Sequence, residues 1–309
     1  MTDFRQIEWD AAVELDCRAL VRLALEEDLA GQQDWTTVAL VPAEREATAS
    51  VVAREAGIAA GLAAVATIIS EAKVRLVADC HIADGQQFAA QAKLITLKGK
   101  ARDLLTVERT LLNFLGRMLG IATLTGRFVA ELEGSSARIY DTRKTTPGWR
   151  RLEKYAVRCG GGTNHRQGLY DAVLIKDNHL AQRSGKSRGI PADAAVAVLE
   201  VRQFLQSPQG AAMSKPLLVE IEVDSLEQLT VVLSASPDIV LLDNMSPDML
   251  LSAVQLRDQL APQVELEASG GVRLETLREI ASTGVDRISA GALTHSARSL
   301  DIGLDWVGV

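Results

Sequence analysis

The sequence predicts an α/β protein in which parallel β-strands form a barrel. After residue 134, short apolar runs that end in a charged residue or a glycine alternate with helical segments, which is typical of parallel βαβ units. The runs read RIYDTRK, GGTNHR, DAVLIKD, LLVEIEVD, DIVLLDN, VELEASGG and DRISAG, and the helical segments span residues 192–205, 226–234, 247–260 and 274–282. No GxGxxG motif follows a first strand, as a doubly wound dinucleotide-binding sheet would require. We therefore favour a barrel.

The residues before this alternation mix helices and strands without a regular repeat. Apolar residues at three- and four-residue steps predict a helix over residues 10–29, with Asp10 as its N-cap and Gly31 as its stop. The polar stretch that follows, up to Thr37, is predicted to be a loop. The remaining pattern predicts strands at residues 47–54, 74–80 and 88–97 and a buried helix at residues 61–72. Alternating residues at 299–309 predict a last strand that returns to this part of the chain.

One long amphipathic helix is predicted over residues 101–132. Gly116, Gly120 and Gly126 interrupt it, and each costs about 1 kcal/mol relative to Ala inside a helix. Glycines at this spacing either permit close helix packing or mark a break between two helices. Arg109 lies in the same segment, where a surface helix charge is the simplest interpretation.

The composition excludes several classes of protein. The 309 residues carry a formal net charge of −7, which argues against a nucleic-acid partner because phosphate backbones are bound by basic surfaces. No apolar run approaches the ~18 residues that a membrane span needs, and the N-terminus has no apolar targeting segment. The three cysteines, Cys17, Cys80 and Cys159, have neither disulfide-framework nor zinc-site spacing. We expect a cytoplasmic protein with no membrane and no nucleic acid among its partners.

A local excess of positive charge lies between residues 138 and 183. This segment holds ten Lys and Arg residues against four carboxylates in an otherwise acidic chain. Clustered like charges repel unless something neutralises them, so a bound anion is the simplest explanation. Four of the basic residues have helical spacing and are interpreted as a solvated helix face: Arg150, Arg151, Lys154 and Arg158. Five others flank apolar runs or glycines: Arg143, Lys144, His165, Arg166 and Lys176.

Parallel sheets place ligands beyond the carboxyl ends of their strands, so the residues at those ends are candidate site residues. In addition to the five above, they are Glu222, Asp243, Ser269, Gly270 and Gly291. Arg and Lys suit carboxylates and phosphates, and the glycines let a phosphate approach backbone amides. The two acids suit sugar hydroxyls or Mg²⁺, with salt bridges to neighbouring cations as the alternative. Glu220 lies on the same strand face as Glu222, so the choice between them stays open.

Lys176 also suggests a second kind of enzyme. A lysine at a barrel strand end can form a Schiff base with a carbonyl substrate, as in class I aldolases. That chemistry needs an amine that loses its proton easily and a nearby proton-transfer group. It leaves Arg143, Lys144, His165 and Arg166 as more positive charge than one phosphate needs.

Seven motifs, in order along the chain, resemble the quinolinate phosphoribosyltransferase family, also called nicotinate-nucleotide pyrophosphorylases (carboxylating). They are DTRKTTPG, GGGTNHRQGLYD, IKDNH, VEIEVDS, LLDNMSP, EASGGV and SAGALTHS. The segments ALEEDLAGQQDWTT and ERTLLNFLGRMLGIAT resemble the family too, so the similarity covers most of the chain. It departs at residues 181–193 and 206–216, which are rich in Gly, Ser, Pro and charge. The first of these segments is either a lid or an ordinary surface insertion.

The resemblance implies an N-terminal α/β sandwich domain and a C-terminal incomplete, seven-stranded α/β barrel. The expected limits are residues 1–115, joined by the strand at 300–309, for the first domain and residues 116–299 for the barrel that carries the site. It also implies a homodimer whose shared active site takes Arg109 from the partner subunit. The family converts quinolinate and phosphoribosyl pyrophosphate, with Mg²⁺, to nicotinate mononucleotide, pyrophosphate and carbon dioxide, a step of NAD biosynthesis.

The resemblance also assigns roles to individual residues. Those implied to be catalytic are Lys144, Lys176, Glu222 and Asp243, and the two acids are the implied Mg²⁺ ligands. Those implied to bind substrate beside them are Arg109, Thr142, Arg143, His165 and Arg166. Those implied to hold the 5-phosphate are Ser269, Gly270, Gly291 and His295.

Two other functions stay open at this point. A paralogous pyrophosphorylase of the same fold, such as the molybdenum-transport-associated relatives, would act on another substrate. A non-catalytic sensor of a phosphoribosyl ligand would keep the scaffold without turnover. The presence of both Glu222 and Asp243 together with the cations disfavours the sensor.

Overall fold

The computed structural model describes residues 3–184, 191–211 and 216–308. The chain divides into two compact units. The antiparallel unit comprises Gln6–Arg127, Lys144–Gly162 and the described part of Leu293–Val309. The parallel unit comprises residues 3–5, Phe128–Arg143 and the described part of Thr163–Ala292. The domain limits expected from the sequence stay a prediction.

The described residues form twelve helices and twelve strands, and the two types are mixed along the chain, as the α/β prediction requires. In chain order they are α1 (Ala11–Leu29), α2 (Trp35–Leu40), β1 (Glu46–Ala53), β2 (Gly57–Ile58), α3 (Ala64–Glu71), β3 (Leu76–Cys80), β4 (Gln87–Phe88), β5 (Lys93–Lys100), α4 (Ala101–Glu131), β6 (Arg138–Tyr140), α5 (Arg150–Cys159), β7 (Val173–Ile175), α6 (Asp177–Ser184), α7 (Pro191–Gln206), α8 (Pro208–Ala211), β8 (Val219–Val223), α9 (Leu226–Leu233), β9 (Ile239–Asp243), α10 (Pro247–Leu260), β10 (Glu265–Ser269), α11 (Leu274–Ser282), β11 (Arg287–Ser289), α12 (Ala292–His295) and β12 (Ile302–Trp306). Among the described residues, none of these helices is long and apolar enough to cross a membrane.

The antiparallel unit is built around a four-stranded sheet with the order β12-β1-β5-β3. The last strand, β12, pairs antiparallel with β1, with Ala49 opposite Trp306. Helix α1 begins after Asp10, whose carboxylate accepts hydrogen bonds from the backbone N–H groups of Ala12 and Val13, at 2.9 and 3.0 Å. The predicted N-cap is therefore confirmed.

The polar stretch predicted to be a loop contains a short helix instead. Asp34 caps α2, because its carboxylate accepts the Thr37 N–H at 3.0 Å. Asp followed by Thr three residues later is a helix-start signal, but six residues of helix give too little apolar periodicity to show in the sequence.

Helix α4 runs unbroken through its three glycines, so close packing explains them and a helix break does not. A Cβ atom at Gly120 would lie 1.9 Å from the carbonyl oxygen of Arg298, and one at Gly116 would lie 3.2 Å from that of Leu300. The glycines therefore let the backbone that leads into β12 lie directly against the helix.

The parallel unit contains a six-stranded sheet with the order β6-β11-β10-β9-β8-β7. All of its neighbouring strands are parallel, which confirms the prediction of an incomplete α/β barrel. The expected seventh strand is reduced in the described residues to one parallel bridge, between Tyr140 and Thr163. A seventh strand does not extend through this segment because Gly160, Gly161 and Gly162 precede the bridge and glycine weakens strand pairing.

The chain's first described residues pack at the amino-terminal edge of the parallel sheet. Asp3 forms ion pairs with Arg138 at 2.7 Å and with Arg287 at 3.0 Å. The side chain of Arg287 is 1% exposed and lies over the rings of Phe4 and Tyr140, at 5.4 and 4.8 Å from their centroids. Because Arg138 and Arg287 begin strands, this edge lies opposite the one that carries the candidate site.

The two segments that depart from the family pattern are only partly described. Helices α6 and α7 extend into the first segment, and α7 and α8 into the second. The choice between a lid and a surface insertion for residues 181–193 depends on a segment that includes residues 185–190, which lie outside the described residues.

Replacing Gly120 by alanine tests the close packing of α4. A Cβ atom 1.9 Å from a carbonyl oxygen forces the backbone apart, so Gly120→Ala should lower the free energy of unfolding by about 1–3 kcal/mol in urea titrations. This loss is expected although alanine is about 1 kcal/mol better than glycine in a helix. Gly116→Ala, with its nearest atom at 3.2 Å, is the matched control and should lose less. Equal or greater stability of Gly120→Ala would show that the contact is loose.

Candidate active site

The carboxyl-terminal edge of the parallel sheet carries most of the candidate residues. The registers of Ile175 with Ile221 and of Asp243 with Ser269 show that these strands end side by side. Predicted residues of the parallel unit that lie at or just after strand ends are Thr142, Arg143, Lys176, Glu222, Asp243, Ser269, Gly270 and Gly291. The structure therefore places these eight at one edge, as the strand pattern predicts.

Three predicted residues belong to the antiparallel unit. Arg109 is exposed on α4, and Lys144 and His295 are exposed as well. The backbone carbonyl of Lys144 accepts a hydrogen bond from the Thr294 hydroxyl at 2.7 Å. This bond places the segments of Lys144 and His295 side by side within that unit.

Lys176 and Glu222 form an ion pair across neighbouring strands. Glu222 is the acid at the sheet edge, whereas Glu220 is fully buried, so the two have separate roles. A carboxylate stabilises the protonated ammonium, whereas a Schiff-base lysine must lose that proton. The pair therefore weakens the aldolase-type interpretation of Lys176.

Oxygen atoms suitable for Mg²⁺ stand at two strand ends that share this edge. The Glu222 carboxylate accepts a hydrogen bond from the Lys176 ammonium. The Asp243 carboxylate accepts one from the side chain of its neighbour Asn244, at 2.8 Å. Mg²⁺ is usually held by one or two carboxylates together with waters and substrate phosphates. Two partly exposed carboxylates fit that preference.

The Ser269-Gly270-Gly271 turn requires glycine at its centre. Gly270 has a φ of +93°, and a Cβ atom there would lie 2.2 Å from the side-chain oxygen of Asn244. The Asn244 N–H donates to the carbonyl of Ser269 at 2.9 Å, so the turn is tied to the end of β9. A side chain is excluded at Gly270 for both steric and backbone reasons.

Asp141 fixes the loop that carries His165 and Arg166. This buried carboxylate follows β6 and accepts hydrogen bonds from the Asn164 side chain at 2.7 Å and the His165 N–H at 2.9 Å. A backbone hydrogen bond, from the Asp141 N–H to the Thr163 carbonyl, also holds this loop. Sequence reasoning did not single out Asp141, although its position directly after a short apolar strand was a usable signal.

His165 and Arg166 are buried, unlike the exposed Arg143 at the sheet edge. The His165 ring stacks on Phe4 with centroids 4.3 Å apart, and Arg166 donates to the Ala172 carbonyl at 3.1 Å. Burial lowers the pKa of the Arg166 guanidinium, and nearby Arg143 lowers it further. Glu220 opposes this shift, so it is a negative charge that helps to keep Arg166 protonated.

A buried cluster of His165, Glu220 and Glu267 lies inside the parallel unit. The Nε2 atom of His165 is 3.1 Å from Glu220 and 3.5 Å from Glu267. Burial raises the pKa of Glu267 to about 7; His165 opposes the rise and the Glu220 carboxylate adds to it. Glu267 was missed from the sequence, although the alternation of VELEASGG places it on the same strand face as Ser269.

The prediction of a solvated basic face on α5 is wrong for Lys154. Its side chain is fully buried, and Arg151 is half-buried with an ion pair to Asp16 at 2.7 Å. The buried Glu153 between them binds Arg117 at 2.7 Å. Helical spacing identifies which residues share a face but not which neighbours cover that face.

A cavity of about 510 Å³ lies beside the edge strand β7. Its lining is mainly apolar and includes Leu169, Val201 and Phe204. Arg166 is the predicted site residue that reaches it. An apolar lining suits neither a pyrophosphate nor a sugar phosphate.

A parallel sheet of the α/β-barrel class thus carries cations, carboxylates and a glycine turn at one edge, a set of groups that suits anionic ligands. Two family models match this chain. The model described as quinolinate phosphoribosyl transferase, N-terminal domain, matches residues 34–119, and the one for the C-terminal domain matches residues 121–305. The chain belongs to the quinolinate phosphoribosyltransferase family.

The chain is similar to known proteins over nearly its whole length. Nicotinate-nucleotide pyrophosphorylase (carboxylating) of Mycobacterium leprae is 45% identical over 302 residues, which are 96% of this chain and 98% of that protein. Quinolinate phosphoribosyltransferase (decarboxylating) 1 of Nicotiana glauca is 38% identical and covers 94% of this chain and 82% of its own. The structure of the nicotinate-nucleotide pyrophosphorylase from Francisella tularensis superimposes with a TM-score of 0.86 at 34% identity, covering 99% of this chain and 100% of its own.

Glu267 should make stability depend on pH. Because its pKa is raised from 4.5 to about 7, the folded protein holds a proton that the unfolded chain releases, and stability falls as pH rises between these values. The free energy of unfolding of the wild type, relative to Glu267→Gln, should therefore decrease by on the order of 1–3 kcal/mol from pH 4.5 to 7.5. Urea titrations at several pH values measure this difference. Glu279→Gln, on the exposed face of α11, should show no such change, and a flat difference for Glu267→Gln would contradict the assignment.

Proposed function

We propose that this protein transfers the phosphoribosyl group of phosphoribosyl pyrophosphate to quinolinate and releases carbon dioxide. The products are nicotinate mononucleotide, pyrophosphate and CO₂, which places the reaction in NAD biosynthesis. The observation that carries the proposal is the meeting of cations, two carboxylates and a glycine turn at one edge of the parallel sheet. Family membership and the activities in the names of the relatives from Mycobacterium leprae and Nicotiana glauca support quinolinate and phosphoribosyl pyrophosphate as the anions.

Quinolinate carries two carboxylates on neighbouring ring carbons. Arginine forks bind carboxylates through paired hydrogen bonds, and lysine adds a point charge. We assign this role to the following groups: Arg143, His165, Arg166 and Lys176, with Arg109 contributed by the partner subunit. The burial of Arg166 supports the assignment, because a charge in a low-dielectric environment attracts an anion more strongly.

Phosphoribosyl pyrophosphate needs partners for its sugar, its pyrophosphate and its 5-phosphate. We assign Glu222 and Asp243 to the ribose hydroxyls and to Mg²⁺, and Lys144 with Thr142 to the pyrophosphate side. The 5-phosphate is assigned to Ser269, Gly270, Gly291 and His295. The turn at Gly270, where a side chain would clash, supports this, since a backbone without side chains lets phosphate oxygens reach N–H groups. Bound Mg²⁺ would supply charge neutralisation for the pyrophosphate.

Catalysis then consists of positioning and electrostatic stabilisation. The quinolinate ring nitrogen attacks C1 of the ribose, and pyrophosphate leaves with the electrons of the broken C–O bond. Lys144 stabilises the charge that develops on this leaving group. The carboxylate next to the ring nitrogen is later lost as CO₂, and the electron pair left on the ring carbon takes up a proton. No covalent enzyme intermediate is needed.

We further propose a cytoplasmic homodimer with a shared site. The free state of Cys17, Cys80 and Cys159 is compatible with a reducing compartment. The exposure of Arg109 on α4 leaves its guanidinium accessible to a partner subunit.

A direct assay tests the reaction. Purified protein incubated with quinolinate, phosphoribosyl pyrophosphate and Mg²⁺ should release CO₂ and form nicotinate mononucleotide, while nicotinate in place of quinolinate should give little product. Preference for nicotinate or another base would favour the paralogous pyrophosphorylase. Binding of phosphoribosyl pyrophosphate without any turnover by a folded protein would favour the sensor.

Hybrid dimers test the shared site. Arg109→Ala and Lys176→Ala should each be inactive alone, but mixed subunits form hybrids in which one site combines an intact Arg109 with an intact Lys176. Statistical mixing gives half hybrids with one working site each, so about a quarter of wild-type turnover should return. Arg127→Ala, an exposed arginine of the same helix, is the control and should keep full activity. No recovery, with subunit exchange confirmed by mass spectrometry, would show that Arg109 acts within its own subunit.

A further inference from the structure

The parallel unit contains two fully buried carboxylates that the roles assigned above do not use. Glu220 is in the middle of β8 and Glu267 in the middle of β10, on either side of β9. Among the described residues, one oxygen of Glu220 and both oxygens of Glu267 have no hydrogen-bond partner with good geometry, although the Ser289 hydroxyl is close enough to Glu267 to favour its ionised form. Leaving ionised carboxylate oxygens buried and unsatisfied is costly, so the pair is expected to hold a proton.

The contacts of His165 decide where the proton lies. Its Nδ1 atom accepts the backbone N–H of Arg166 at 2.8 Å, so the proton of the neutral ring is on Nε2, which faces Glu220. In a doubly protonated His165, the Nδ1–H would point at the backbone N–H of Arg166, and two donors would face each other. The favoured state therefore has a neutral His165, whose Nε2–H faces Glu220, and a protonated Glu267.

The same contact opposes a metal ion in the cluster. A metal on Nε2 of a neutral imidazole requires the proton to be on Nδ1. Nδ1 already accepts the Arg166 N–H, so that tautomer is disfavoured here. Protons, rather than a divalent cation, are the natural occupants of the space between these three groups.

The charged groups that face Glu267 come from two neighbouring elements. Glu220 on β8 raises the pKa of the Glu267 carboxyl, and Arg287 on β11 lowers it. A protonated His165 would lower it as well. The Ser289 hydroxyl, also on β11, favours the ionised form. Burial is the largest effect, so Glu267 changes its charge near neutral pH.

We propose that Glu267, in its protonated form, is a positioning residue that acts through Glu220 and His165 on Arg166 and thereby sets the affinity for a dicarboxylate substrate. This inference rests on the function proposed above. With the proton in place, Glu220 and Asp171 are the negative charges that offset the buried Arg166. Without it, a further buried negative charge attracts the Arg166 guanidinium inward and repels the substrate's carboxylates.

Steady-state kinetics across pH test the proposal with Glu267→Gln, which has the shape of the protonated acid. The wild-type KM for quinolinate should rise at least about threefold more than that of Glu267→Gln between pH 6 and 8.5, because only the wild type gains a buried charge. The substrate's own ionisation is common to both proteins and cancels in the comparison. The KM for phosphoribosyl pyrophosphate and kcat should show no such divergence, and Glu279→Gln should follow the wild type.

Parallel KM profiles for the wild type and Glu267→Gln would overturn the positioning role. A merely structural role would change stability or kcat but leave the pH dependence of the quinolinate KM the same. Should Glu267→Gln fail to fold, a Glu267→Asp variant, which keeps a titratable group at a shifted position, should move the pH at which KM rises. An unmoved profile in that variant would contradict the proposal equally.

Nitrogen NMR of the imidazole tests the cluster without any substrate. The chain has only four histidines, so the His165 signals are identified by their loss in His165→Gln. They should report a neutral ring with the proton on Nε2 from pH 6 to 8.5. A doubly protonated His165 at pH 6 would overturn the assigned proton distribution. A wild type without quinolinate turnover would instead overturn the proposed function, and the two failures are thus distinguishable.

Discussion

The carboxylate of Asp141 is the constraint on which the inner part of the candidate site depends. It holds the loop of Asn164 and His165, where the sheet has no full seventh strand. The carboxylate accepts hydrogen bonds from the side chain of Asn164 and from the backbone N–H of His165. The stacking of His165 on Phe4 and the burial of Arg166 both require that loop to follow β6 closely. A buried acceptor with matched donors is a strong restraint, since losing one partner leaves an unsatisfied polar group.

The site divides by solvent exposure into two layers within the parallel unit. Lys176, Glu222 and Asp243 are partly accessible at the sheet edge, where ligands can exchange. Arg166, Glu220 and Glu267 are buried, where charges interact strongly and each must be balanced. The partly exposed outer layer suits a substrate that binds together with a metal cation. The buried inner layer provides fixed charges around the bound substrate.

Much of the parallel sheet and its edge could be predicted from the sequence. Short apolar runs ending in charge mark strand ends, and parallel strands bring those ends together, so the placement of Lys176, Glu222 and Asp243 at the sheet edge could be predicted. The burial of His165 and the proximity of Glu267 depend on which side chains converge from strands far apart in sequence, and no local pattern encodes that. Lys154 was misjudged for the same reason. Individual motifs suggested an anion site, while the order of seven motifs was needed to suggest which anions.

The pairing of β12 with β1 has a consequence for how the protein is made. Ala49 on β1 lies opposite Trp306 on β12, and the glycine-lined side of α4 packs against residues 298–300. During synthesis the N-terminal half of the antiparallel unit therefore leaves the ribosome with an open sheet edge and an uncovered helix surface. Such surfaces invite aggregation until distant residues arrive. Completion of the fold must wait for nearly the entire chain, so folding of this unit is expected to be slow and to benefit from chaperones.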